Sequence, residues 1–396
     1  MKKTSFLAIA LLFASVAGAQ IRYEESYRMN PDQMCVAGTL NDDSVRIGTW
    51  TWWYPNGKVL RQGKYDNMGK KTGVWRTFYN DGTKHEEFYM SGDGTNTTWY
   101  ADGSKQSEVA VENGKKVGMF TSWYANGQKK DEVPYVDGIR EGKTQEWHEN
   151  GKLKFEGFYE DDELEGKATW WYPDGKKDHE GTLSAGEQTG EWVFYWRTTG
   201  NVGIRGHYEN GNETGTWTYY YETGEKWREG QYSNGYRQGL WTTWYESGQK
   251  LHEGQYVNDK EEGTWTAWYE DGKVDYEGSF HNGKKEGLWR GVFDDGSVRY
   301  EMNYHEDVQH GKTVRYYANG KVELSENYVD GVRDGKYERF NEAGMPEEVG
   351  NFSDGKKEGK WIWYDKYGRE GVVAQFKHGQ MTSMQDNSSK KEEKKR

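Results

Sequence analysis

The sequence predicts an all-β fold, an elongated single-layer antiparallel sheet or solenoid of about fourteen stacked β-hairpin repeats of mostly 24 residues. Three observations predict it. A Gly- and Trp/Tyr-rich segment recurs along nearly the whole chain, and self-similarity at such a period marks a repeat architecture. Asn-Gly and Asp-Gly pairs separate aromatic, β-prone segments, a strong hairpin signal. The composition, 20 Trp, 30 Tyr and 52 Gly against only five Pro, suits many short strands joined by tight turns.

The elements follow in chain order. Residues 1–19 read as a cleavable secretory signal: Met1-Lys2-Lys3 is basic, Phe6 to Val16 is apolar, and Ala17-Gly18-Ala19 offers a small-residue cleavage site before Gln20. The apolar run is too short to span a bilayer, and no later stretch approaches the roughly 18 apolar residues a membrane helix needs. No membrane span is expected. Loss of the two charges on Lys2 and Lys3 takes the formal net charge from −12 to −14, which argues against a nucleic-acid partner. Residues 20–47 read as an N-terminal cap with a half-repeat, Gly38-Thr39-Leu40. They contain Cys35, whose solitude excludes an internal disulfide or a Cys-based zinc site. Residues 48–380 form the array. Residues 381–396, ending in Ser388-Ser389-Lys390-Lys391-Glu392-Glu393-Lys394-Lys395-Arg396, read as a disordered charged tail.

Within the array the units start at Gly48, Gly73, Gly94, Gly118, Gly142, Gly166, Gly190, Gly215, Gly239, Gly263, Gly287, Gly311, Gly335 and Gly359. Counted from each, the consensus is Trp at +2, aromatics at +5 and +6, Asp/Asn-Gly at +8/+9, Glu-Gly at +14/+15 and Tyr at +17. Two-residue type I′ turns are expected at Asn56-Gly57, Asn126-Gly127, Asp174-Gly175 and Asn319-Gly320. Such a turn makes opposed positions sum to 17. Trp at +2 then faces Gly at +15, and the starting glycine faces Tyr at +17, so that each ring covers a residue without a side chain. Strand alternation puts +2, +4, +6, +11, +13, +15 and +17 on one face, as in Trp241, Tyr245, Lys250, His252 and Tyr256, and +3, +5, +12, +14 and +16 on the other.

The second face carries the candidate site. Its +5 row is aromatic in thirteen of fourteen units, beside a column of Glu at +14. Trp123, Trp147, Trp171, Tyr220, Trp244 and Trp268, with Glu132, Glu156, Glu180, Glu229, Glu253 and Glu277, form a candidate binding track. Flat rings offer stacking surface to sugars or cations, and carboxylates supply acceptors. The architectural alternative is that the rings stack across strands and stiffen the sheet. No catalytic constellation is found. The nine histidines lack metal-ligand spacing, no glycine-rich segment has the spacing of a phosphate loop, and Asp161-Asp162 reads as a solvated pair in a loop between repeats. Neither enzymatic activity, nor a cofactor, nor a metal is expected.

The recurring G-x-W-x-x-W-Y-x-[DN]-G-K-x-x-x-E-G-x-Y resembles the MORN repeat, specifically its bacterial variant often labelled the YwqK-like antitoxin component family, over roughly residues 38 to 380. The resemblance implies consecutive β-hairpins serving as a scaffold for protein partners or membranes, and the antitoxin label implies neutralisation of a partner toxin. Three functions remain open: a secreted, non-enzymatic scaffold for protein partners in the periplasm or at the cell surface, a glycan- or envelope-binding repeat protein, and an antitoxin- or immunity-type protein.

Overall fold

The computed structural model describes residues 10–14 and 20–387. Every regular element among them is a β-strand, as the sequence predicts. The chain divides into two compact units, Met1–Gly190 and Glu191–Arg396. In the first, Ile21–Tyr27 pairs antiparallel with Asn30–Leu40, that strand with Arg46–Trp53, and that with Val59–Tyr65. Pairing continues in chain order to Lys177–Ser184. The second unit runs the same way from Val202–Glu209 through Asn212–Tyr220 and Lys226–Ser233 to Gln380–Asp386.

Both ends differ in detail from expectation. Ala10–Ala14, inside the expected signal segment, is a strand antiparallel to Ile21–Tyr27; residues 1–9 and 15–19 lie outside the described residues. At the other end, Gln380–Asp386, of which all but Gln380 fall in the expected tail, is a strand on Glu370–Lys377. His378-Gly379 supplies the positive-φ pair that turns the chain between repeats, and backbone pairing then needs no particular side chains. Residues 388–396 lie outside the described residues.

The turn at +8/+9 differs from expectation. Asn-Gly at +8/+9 does not form a type I′ turn. Gly57 N–H donates to Tyr54 O at 3.0 Å and Tyr54 N–H to Lys58 O at 2.8 Å, with positive φ at Gly57 alone. This is a three-residue loop, a type I turn followed by a glycine bulge. Asn56 keeps negative φ because its Oδ1 accepts the Lys58 N–H at 3.0 Å, an Asx contact that favours this turn. The longer loop would shift the register by one. A bulge at +12 restores it: Thr243 opposes His252 but Trp244 opposes Lys250, leaving Leu251 as the extra residue. True type I′ pairs, positive φ at both residues, occur between repeats, at Asn113-Gly114, Asn234-Gly235 and Asn282-Gly283 among others. Asp161-Asp162 is one of them, and Asp162 is not merely solvated: its Oδ1 accepts from Arg140 N at 2.9 Å and Nε at 3.0 Å.

The ring-over-glycine pairing exists but is displaced by one repeat. Trp241 opposes Gly254 in its own hairpin, yet its ring lies on Gly230 of the preceding unit, where any Cβ would collide with it. Trp265 covers Gly254, and Trp75 covers Gly63, in the same way. Each indole then donates backwards, Trp241 Nε1–H to Gln231 O at 3.2 Å and Trp289 Nε1–H to Ser279 O at 3.1 Å. Apart from Gly94, which lies against the Tyr89 ring, the starting glycines lie under no ring. Gly239 and Gly263 adopt positive φ with open space where a Cβ would stand. They sit in bulges: Glu253 opposes Thr266 and Gln255 opposes Glu262, so Gly263, Thr264 and Trp265 stand against Gly254 alone.

Tyr at +17 packs edge-on between two tryptophans instead. In the second unit Tyr208, Trp217, Tyr232, Trp241, Tyr256, Trp265, Phe280, Trp289 and Tyr304 alternate, with centroids 5.0–6.4 Å apart and ring planes 73–89° apart. Edge-to-face pairs of this kind add about 0.5–1.5 kcal/mol each beyond burial. The alternation gives a one-layer sheet its buried core: Trp50, Trp192, Trp241 and Trp361 are at most 2% exposed.

Candidate functional site

The candidate track occupies the opposite face. Trp123, Trp147 and Trp171 belong to the first unit, and Tyr220, Trp244 and Trp268 to the second; all are half-buried. Their backbones are fixed by the preceding repeat. The +6 side chain of each unit bonds the +5 carbonyl of the next: Tyr100 Oη to Trp123 O at 2.7 Å, Tyr124 Oη to Trp147 O at 2.9 Å, Tyr221 Oη to Trp244 O at 2.8 Å, and Tyr245 Oη to Trp268 O at 3.0 Å. His148 Nε2 meets Trp171 O at 2.8 Å and Trp196 Nε1–H donates to Tyr220 O at 3.0 Å, so variant residues keep the stitch.

The carboxylates are engaged. Lys at +11, which the sequence places on the tryptophan face, lies on this one, because the +12 bulge reverses the alternation. Lys250 meets Glu253 at 2.6 Å, Lys226 meets Glu229 at 2.7 Å and Lys177 meets Glu180 at 2.8 Å; Lys129 pairs likewise with Glu132. Glu156 accepts from Gln145 Nε2 at 2.7 Å and pairs with Lys143 at 3.0 Å. The hydroxyls of Thr218 and Thr242 add bonds of 3.0 and 2.8 Å to Glu229 and Glu253. Burial pushes the Glu253 carboxyl up, but the bonds from Lys250 and Thr242 outweigh it and hold the group below its ordinary range. Glu277 is exposed.

The same lysines reach forward. Lys129, Lys226 and Lys250 place their ammonium groups 5.2, 5.7 and 5.5 Å from the ring centroids of Trp147, Trp244 and Trp268 in the following repeats. At such distances the ring face attracts the cation. The structure therefore joins the predicted Trp and Glu residues through a lysine that the sequence reading put elsewhere. The repeating group is a Glu–Lys–Trp chain, closed on itself.

Between these chains the face presents apolar side chains at +1 and +16. Leu240 and Leu288 are 53% and 51% exposed, and Met119 and Phe158 are exposed as well. In the repeat starting at Gly311 the pattern itself changes. Val322 replaces the lysine and Ser325 the glutamate, and a groove of about 650 Å³ opens beside Tyr316 and Phe340. Aligning +11 and +14 across repeats exposes both substitutions, but only the bulge shows that the two positions share a face.

Among the described residues no group of three or more His, Cys, Asp or Glu side chains is placed to hold a metal ion. Burial, then the charge of Glu25, pushes the Cys35 thiol up, away from the thiolate a nucleophile needs.

The family model for the MORN repeat variant matches at residues 46–67, 116–137, 140–161, 164–183, 213–234, 237–258, 261–282 and 309–330. No curated protein matches the chain. Two solved structures are similar over much of it. A crystal structure of TcdB2-TccC3 without the hypervariable C-terminal region shares 12% identity, covering 93% of this chain and 24% of that one, with a TM-score of 0.15. A Photorhabdus luminescens Tc holotoxin pore shares 10% identity, covering 91% of this chain and 23% of that one, also with a TM-score of 0.15. The chain spans about a quarter of the length of either.

Proposed function

We propose that this protein, a chain built of MORN repeat variants, is an exported, non-enzymatic scaffold whose +5 face holds a protein partner. The observation that carries the reading is the combination on that face of satisfied polar groups and unsatisfied apolar ones. Lys250 and Glu253 already answer each other, whereas Leu240 and Leu288 stand about half exposed on a stitched sheet. Exposed apolar side chains on a rigid, polar-rimmed surface suit protein recognition, where a few buried anchors carry most of the binding energy. Rigidity lowers the entropy lost on association. Export rests on the residue pattern of positions 1–19.

Crosslinked co-purification from envelope fractions tests the scaffold, run in parallel with the Leu240→Glu/Leu288→Glu variant. The expected result is a discrete partner retained by the parent chain and lost from the variant. Recovery of nothing, or of the same proteins by both, would rule the reading out. Mass spectrometry of the secreted chain tests export, with a mature N-terminus at Gln20 expected.

A further inference from the structure

We propose that the groove between Tyr316 and Phe340 is a saccharide site, and that its ligand is a pyranose oligosaccharide bearing carboxylates. The groove measures about 650 Å³, and its lining includes Lys312, Tyr316, Val322, Ser325, Glu338 and Phe340. It does not depend on the protein-binding reading above.

In the repeats from Gly118, Gly215 and Gly239 a lysine fills the corresponding space. Lys250 bonds Glu253 and lays its ammonium 5.5 Å from the Trp268 ring of the next unit. In the repeat from Gly311, Val322 stands where that lysine would be and Ser325 where the glutamate would be, so nothing of the pair covers Phe340, the next ring. The vacated place is open to a ligand. A cation is not the natural occupant, because the +14 carboxylate has also gone and the Glu338 carboxylate is already paired with Lys336, and a charge removed from water needs a partner. What remains is two aromatic rings, a hydroxyl, an ammonium group and the Glu338 carboxylate, which Lys336 already holds.

Those groups match a sugar. The rings belong to adjacent hairpins, two strand spacings or roughly 10 Å apart, which is about the reach of a disaccharide. The C–H face of a pyranose gains dispersion and sheds water against an aromatic face. Ser325 offers a hydroxyl to the sugar hydroxyls, and Lys312 offers a cation to a ring carboxylate. Tyr316 and Glu338 are held in advance: Tyr316 Oη donates to Glu301 at 3.1 Å, and Lys336 meets Glu338 at 2.6 Å. Orientation fixed before binding is what a sugar site requires. The opposite face of this repeat departs from the pattern too. Thr313 takes the place of the +2 tryptophan and Glu326 the place of the +15 glycine, which marks the repeat as distinct on both sides.

Calorimetric titration of the full chain with tetragalacturonate, and with cellotetraose as the neutral counterpart, tests the proposal. Two variants accompany the parent: Phe340→Ala, and Val322→Lys/Ser325→Glu. The second rebuilds the pair that the repeats from Gly215 and Gly239 carry, so its fold is expected to persist, as circular dichroism would show. The parent should bind tetragalacturonate, each variant should bind it at least about tenfold more weakly, and cellotetraose should bind more weakly than the acidic chain. Failure of the parent to bind either sugar would overturn the site, as would undiminished binding by the folded, filled variant. Equal affinity for both sugars would overturn the part given to Lys312.

Discussion

Trp241 is 2% exposed, covers Gly230, donates to Gln231 O and meets Tyr232 and Tyr256 edge-on. Its replacement by Ala should cost about 3–5 kcal/mol, read as a lowered urea midpoint. The two glycine roles predict different penalties. Gly239→Ala meets no atom but must hold positive φ, at about 1–2 kcal/mol. Gly230→Ala drives a methyl into the Trp241 ring and should destabilise more; the reverse order in the same unfolding assay would contradict the assignment. The alliance of tryptophan with glycine is legible in the sequence. Which glycine lies beneath which ring is not, because Gly254 opposes Trp241 in the ladder while Trp265 covers it, and residue type is the same for both.

At the scale of the hairpin, Asn-Gly fits a type I′ turn and a type I turn with a glycine bulge equally well. Pro55 and Pro173 at +7 favour the second, since proline is preferred at the first central position of a type I turn, and that signal was available in the sequence. The +12 bulge left no such mark: Leu251 resembles any strand residue, so the face of Lys250 could not be read without the ladder. The hairpin that carries His252 also has a pH response. His252 is stacked near Trp265 at 5.9 Å, and burial, then the charge of Arg228, pushes its imidazole below the ordinary value of 6.5. The unfolded chain therefore binds a proton more readily than the folded one. The stability contributed is fully present above pH 6.5 and is lost as the pH falls below that value toward the depressed folded one. The His252→Gln variant should lose less stability than the parent between about pH 7 and about pH 5, measured by denaturation at each pH.

At the scale of the whole molecule, stability is a sum of repeats and of their contacts with neighbours. The aromatic alternation of the second unit breaks after Tyr304. Thr313, 1% exposed, and Glu326, 2% exposed, occupy the places of a tryptophan and a glycine, with Glu326 held by Tyr328 Oη at 2.9 Å and Arg333 Nε at 2.7 Å. A buried carboxylate whose arginine partner is 45% exposed is a poor substitute for packed rings. Hydrogen exchange should accordingly show residues 311–335 as the least protected strands of that unit's interior. Joint replacement of Met302→Gly and Thr313→Trp, restoring ring over glycine, should raise the protection. Unchanged protection would place the weak point elsewhere.

The displacement of each tryptophan onto the preceding repeat has a consequence for how such a chain can grow. No hairpin is complete alone, so the sequence has no privileged cutting point. A duplicated or deleted window of 24 residues, wherever it begins within regular repeats, presents the same tryptophan to the same glycine at its new junction. Chain length can therefore drift among descendants in whole-repeat steps, while an insertion of one residue is trapped at the junction it spoils. The irregular repeat at Gly311 is the exception, because removing it would erase its groove and the Thr313 and Glu326 departures together.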